Sequence, residues 1–255
     1  MTVTEQRVQK DQVLLSHLWK IIAFDMLFIG AMMIRAILNQ KTPMRYFGET
    51  GIISWFSCLQ LLILAGLAWK IYRIRKLSQV ETKGKHAPQT LWKLIAIGFF
   101  FLAVDEIVQI HEATDFLIHW VFQIPDNSKF LQLDGLIVAG YSAIGAYILY
   151  SFWDEFKQYR SAFYLFIIGF ALKATMVLID VSTDDQTVFS SWFTDPKSHK
   201  LMYDWVQTVE ESFKILAEGA FIAAFLVCVQ IAKRMTRAEI TNYSRNQETG
   251  DRRQN

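Results

Sequence analysis

Apolar residues in this chain fall in long unbroken runs, and the polar residues gather between them rather than alternating with them. Six runs stand out, at about 18–38, 51–72, 91–112, 131–152, 161–180 and 206–231. Each approaches the ~20 residues that a helix needs to cross the hydrocarbon core of a bilayer. The pattern predicts an all-α, polytopic membrane helical bundle of about six transmembrane helices. All four prolines (Pro43, Pro88, Pro125, Pro196) lie between the runs, where a missing N–H leaves the helix ladder intact. The eight tryptophans lie at or near run ends, where an amphipathic ring prefers the headgroup level. The third run contains no breaker after 112, so its helix is expected to continue to about 122.

Composition sharpens this reading. Of 255 residues, 53% are hydrophobic and 20% charged, and most of the charges lie in the tails and short connections. That distribution excludes a nucleic-acid-binding domain, a disordered chain and a disulfide-stapled secreted module. The bilayer is the first partner it implies. Cys58 and Cys228 both sit inside apolar runs and form no metal or redox spacing. The first run follows basic residues but is too long for a signal core and carries Asp25 and Arg35, so it is expected to remain as the first span.

Lys and Arg set the orientation. The N-terminal tail, the 73–90 and 153–160 connections and the C-terminal tail hold fifteen of them, against five in the connections of the other side. Both termini are therefore expected in the cytoplasm of a bacterial cell, with the protein in the plasma (inner) membrane. Residues 1–235 read as a single bundle domain and 236–255 as a basic disordered tail. No internal repeat supports an inverted-repeat transporter. The fourth run carries Gly135, Gly140, Gly145 and several alanines, a small-residue surface suited to close helix packing.

Charge inside the runs carries the chemistry. The third run reads Asp105-Glu106 and His111-Glu112, followed by Asp115 and His119. At 100° per residue, Asp105, Gln109, Glu112, Asp115 and His119 share about 120° of one helix surface. The sixth run carries Gln207, Glu210, Glu211, Lys214 and Glu218 within about 100°, and the fifth contributes Lys173 and Asp180. At 1.5 Å per residue, Asp105 falls ~9 Å below the outer boundary, the two lysines ~12 Å below it and Glu218 near mid-membrane. Asp105, Glu106, Glu210, Glu211 and Glu218 against Lys173 and Lys214 leave a formal −3. One bare charge near the bilayer centre costs about 2.5–3.5 kcal/mol on the milder scales, so this surplus must bind a cation, hold protons or face water.

Three functions fit. In the first, the protein is a membrane-embedded enzyme acting on a lipid or apolar substrate, with Asp105, Glu106, Glu210 and Lys214 as acid–base groups. Its metal-dependent form uses Asp105, His111, Glu112, Glu210, Glu211 and Glu218 as ligands for iron, manganese or zinc. In the second, the acids line the path of a proton- or cation-coupled transporter or channel; Asp25 is then the cytoplasmic acid. In the third, the charges are structural ion pairs of a scaffold, with Lys214 bridging Glu210 and Glu218. The five histidines give no facing pair for a haem, and neither a nucleophile-elbow serine nor a phosphate-cradling glycine loop is present.

Leu102-Ala103-Val104-Asp105-Glu106 with His111-Glu112, together with Val209-Glu210-Glu211 and Glu218-Gly219, resembles a signature of uncharacterised bacterial multi-pass membrane proteins. The resemblance implies that these residues form the functional core, and implies no activity. The ceramidase-like membrane hydrolases are similar in having a polar intramembrane site. They have seven spans and a histidine-rich zinc set, whereas the last run here contains no histidine.

Overall fold

In a computed structural model, which describes residues 3–39, 42–48, 51–77, 87–123, 133–183 and 195–251, the described residues are almost all helical and include no strand. The helices are α1 (Val3–Leu38), α2 (Met44–Phe47), α3 (Ile52–Lys76), α4 (Gln89–Val108), α5 (Ile110–Phe122), α6 (Leu133–Ser151), α7 (Trp153–Phe156), a 3₁₀ turn (Lys157–Ala162), α8 (Phe163–Thr183) and α9 (Pro196–Asp251). Where it is described, each of the six apolar runs is mostly helical, the third being divided between α4 and α5. Among the described residues, four stretches are long and apolar enough to cross a membrane, namely Leu18–Leu38, Met44–Lys76, Trp153–Thr183 and Lys197–Thr241. Their outer faces suit lipid rather than water: Leu27 is 74% exposed and Leu178 68%.

Helix starts follow local chemistry. Pro43 and Pro88 precede α2 and α4, and Pro196 is the first residue of α9, where its fixed φ is already helical. Asp195 caps α9: its carboxylate accepts the backbone N–H groups of Lys197 (3.3 Å) and Ser198 (3.2 Å) and the Ser198 hydroxyl (3.0 Å).

The third run departs from its expected continuous helix. α4 ends at Val108, and Gln109 takes a left-handed conformation (φ 56°, ψ 48°) before α5 begins. The Gln109 N–H still reaches the Asp105 carbonyl at 2.7 Å, while its own carbonyl accepts the Ala113 N–H at 2.9 Å. A left-handed end usually falls on glycine or asparagine, so a glutamine there holds strain that its surroundings must offset. The common face drawn through Asp105, Glu112, Asp115 and His119 is thereby corrected, because the turn at Gln109 resets the helix phase.

The chain groups into two compact units, Met1–Leu62 with Phe163–Ala224, and Ile63–Ala162 with Phe225–Asn255. In the first, Ile29, Phe47, Ile53 and Ile215 form a buried cluster on which Phe28, Met32, Met33 and Phe56 pack. Gly169 accommodates the Phe221 ring, which a Cβ at that position would strike.

In the second unit α6 packs on α4 and α5, with Phe101 edge-on to Tyr141. Buried Arg75 pairs bidentately with buried Glu155 at 3.0 and 3.1 Å, and its remaining nitrogen reaches Glu239 at 3.1 Å. Trp92 (3.2 Å) and Tyr159 (3.1 Å) also donate to Glu155. One expectation changes here: Trp92, read as one of the headgroup-level rings, is fully buried. α9 runs on to Asp251, and its Thr236 and Glu239 bind the end of α3 through the Ile74 carbonyl and Arg75.

Candidate functional site

Each unit contains a polar group, and each is described separately. In the second unit the group forms at the break between α4 and α5. Buried Asp105 lies in the last turn of α4 with its carboxylate turned toward the start of α5. Its Oδ1 accepts the His111 backbone N–H at 2.9 Å, and its Oδ2 lies 2.9 Å from His111 Nδ1. Asp105 thus serves as an N-cap for α5 from six residues away, satisfying a first-turn N–H that lacks an intrahelical partner. Gln109 donates to Glu112 at 3.0 Å, and His111 Nε2 lies 3.8 Å from the same carboxylate. The imidazole is about a quarter exposed, whereas the Asp105 carboxylate is nearly closed off.

This arrangement has a chemical consequence. A carboxylate on Nδ1 keeps the proton on that nitrogen and leaves Nε2 as the basic one. Further along α5, His119 pairs with Asp115 at 3.0 Å, a separate contact one turn apart. Glu106, next to Asp105, is half-buried.

In the first unit α9 supplies Glu210, Glu211, Lys214 and Glu218. Glu210, Lys214 and Glu218 are buried. Lys214 binds Glu211 at 2.6 Å, and Glu210 lies within electrostatic reach of Asp180, Glu211, Lys214 and Lys173. One turn inward, Ser57 of α3 donates to Glu218 at 2.9 Å. Asp25 of α1 accepts from Gln60 at 3.0 Å and lies flush against α9 at Gly219, where a Cβ would overlap its carboxylate.

Within each unit, therefore, part of the expected set comes together: Asp105, His111 and Glu112 in one, Glu210, Glu211, Lys214 and Glu218 in the other. Among the described residues, no three His, Cys, Asp or Glu side chains converge as a metal site would require. Sequence reasoning missed Ser57 and Gln60. Their signal was the spacing Ser54, Ser57, Gln60, a polar stripe at every third position of an otherwise apolar span. The left-handed Gln109 was also missed, and no glycine or proline marks it.

A family model described as Domain of unknown function (DUF8692) matches residues 15–229. The chain belongs to this family. The match takes in α2 to α8, α1 from residue 15 and α9 as far as residue 229, so Asp25, Asp105, His111, Glu112, Glu210, Glu211, Lys214 and Glu218 all lie in the DUF8692 region. No curated protein and no solved structure matches the chain.

Proposed function

We propose that this DUF8692 protein is a membrane-embedded enzyme acting on a lipid or another apolar substrate, with His111 as its general base and Asp105 holding it. The observation that carries this reading is the 2.9 Å contact between Asp105 Oδ2 and His111 Nδ1 at the helix break. With Nδ1 fixed, Nε2 takes a proton from a water that attacks the substrate, and returns it to the leaving group. α5 supports a site at headgroup depth. Phe116, Leu117, Trp120, Val121 and Phe122 are exposed along it, while Glu112, Asp115 and His119 keep its polar groups at hand. Glu106 beside the pair, and Glu210 with Lys214 in the first unit, are the further acid–base candidates. For a metal on Asp105, His111 and Glu112, no group of three such ligands converges among the described residues.

The test is hydrolysis of a panel of lipid esters in mixed micelles, with products read by mass spectrometry. Activity should vanish in His111→Ala and persist in Asp115→Asn; activity intact in His111→Ala removes the reading. We further propose that α4 and α6 complete six spans in a bacterial plasma membrane with both termini cytoplasmic. Reporter fusions after Lys83 and Lys197 should then report opposite compartments. Cation or proton coupling is the second reading, favoured by Ser57 bound to buried Glu218, and it requires ion flux in proteoliposomes that Glu218→Gln abolishes.

A further inference from the structure

The interior of the first unit contains an imbalance that its own side chains leave unresolved. Asp25 is 1% exposed and Gln60 3%. The Gln60 amide nitrogen donates to Asp25 Oδ1, yet among the described residues neither Asp25 Oδ2 nor Gln60 Oε1 takes a hydrogen bond. Both are buried acceptors, and an acceptor left unmatched in such surroundings is costly. Asp25 abuts Gly219 of α9, and Glu218, the preceding residue, lies about 100° round the same helix. Ser57, one turn from Gln60 on α3, spends its hydroxyl on Glu218.

A proton on Asp25 Oδ2 donated to the Gln60 oxygen is one way to match both acceptors, and a cation held by both oxygens is the other; only the second responds to sodium. Turning the amide over moves the unmatched atom from oxygen to nitrogen and sets the oxygen against Asp25. What both acceptors lack is one positively polarised centre. Oxygen-only ligands select a hard cation, and a single carboxylate with a neutral amide oxygen matches one positive charge better than two.

We infer that Asp25 and Gln60 form a buried binding site for a small monovalent cation of the sodium class. The site joins α1 and α3 and stands whether or not the ion crosses the membrane. It therefore rests on neither functional reading above.

The test uses the full chain purified in detergent at constant ionic strength, with N-methylglucamine chloride exchanged for sodium chloride. Wild-type protein should gain a melting temperature that rises with sodium and then saturates, because a ligand bound only by the folded state stabilises it. Radioactive sodium should bind at about one ion per chain and be displaced by unlabelled sodium. Asp25→Asn should lose both responses, Gln60→Leu should weaken binding at least about tenfold, and Asp105→Asn should retain both. Should Asp25→Asn fail to fold, the wild-type binding measurement and Gln60→Leu still decide. The inference is overturned if wild-type protein binds no sodium, as expected of a site holding water alone, or if Gln60→Leu binds as tightly as wild type.

Discussion

Replacing Asp105 by asparagine separates the two tasks that the structure gives this side chain. The carboxylate caps α5 through Oδ1 and orients His111 through Oδ2, each at 2.9 Å. Asparagine keeps an acceptor for the backbone N–H, so the cap survives. Its amide nitrogen, however, faces Nδ1 as a donor, which drives the imidazole proton to Nε2 and removes the basic nitrogen. If His111 is the general base proposed above, its loss costs about 10²–10⁴-fold in rate, and activity should fall within that range. Stability should change by only ~1 kcal/mol, the net worth of an ordinary hydrogen bond. Asp105→Ala removes both contacts and leaves the His111 N–H without its cap, so it should cost about 1–3 kcal/mol in addition to the activity. Nitrogen NMR of histidine-labelled protein in micelles reads the tautomer directly, and thermal melting reads the cap. If Asp105→Asn keeps His111 protonated on Nδ1 and remains fully active, or if Asp105→Ala melts like wild type, the account of this pair is wrong.

Other substitutions test the remaining contacts. Arg75→Met leaves Glu155 buried without its guanidinium and should cost about 3–5 kcal/mol, part of which Arg75→Met with Glu155→Leu recovers; denaturation in detergent measures both. Gly219→Ala drives a methyl into the Asp25 carboxylate and should destabilise by about 1–3 kcal/mol, less when Asp25→Ala is also present, as a double-mutant cycle would show. The Ser198 hydroxyl, then the N–H groups of Lys197 and Ser198, hold the Asp195 carboxyl below its usual 3.8. Its contribution is therefore complete above that value and lost as the pH falls through the lowered one. Hydrogen exchange in the first turn of α9 should rise on acidification in wild type and respond less in Asp195→Asn.

Much of this architecture is written in the order of the residues. Apolar runs near membrane length oblige helices, because a backbone in hydrocarbon must satisfy its own polar groups. Pro43, Pro88 and Pro196 set helix starts, since φ near −65° and a missing N–H are tolerated there. Excess acid inside the runs also marked Asp105, Glu210, Lys214 and Glu218 as candidates, and all four are buried. What the sequence does not contain is the identity of their partners. The turn at Gln109 has no glycine to announce it and exists with Asp105 reaching forward to cap the next helix, so a uniform 100° progression misplaces everything beyond it. Arg75 and Glu155 are 80 residues apart, and Ser57 and Glu218 are 161 apart. Such pairs depend on which helices pack together, which pattern along a single helix does not encode. Asp25 looked like an isolated acid until α3 brought Gln60 to one carboxylate oxygen and α9 brought Gly219 against the other. Periodicity determines which face of a helix is polar, and only packing decides what that face meets.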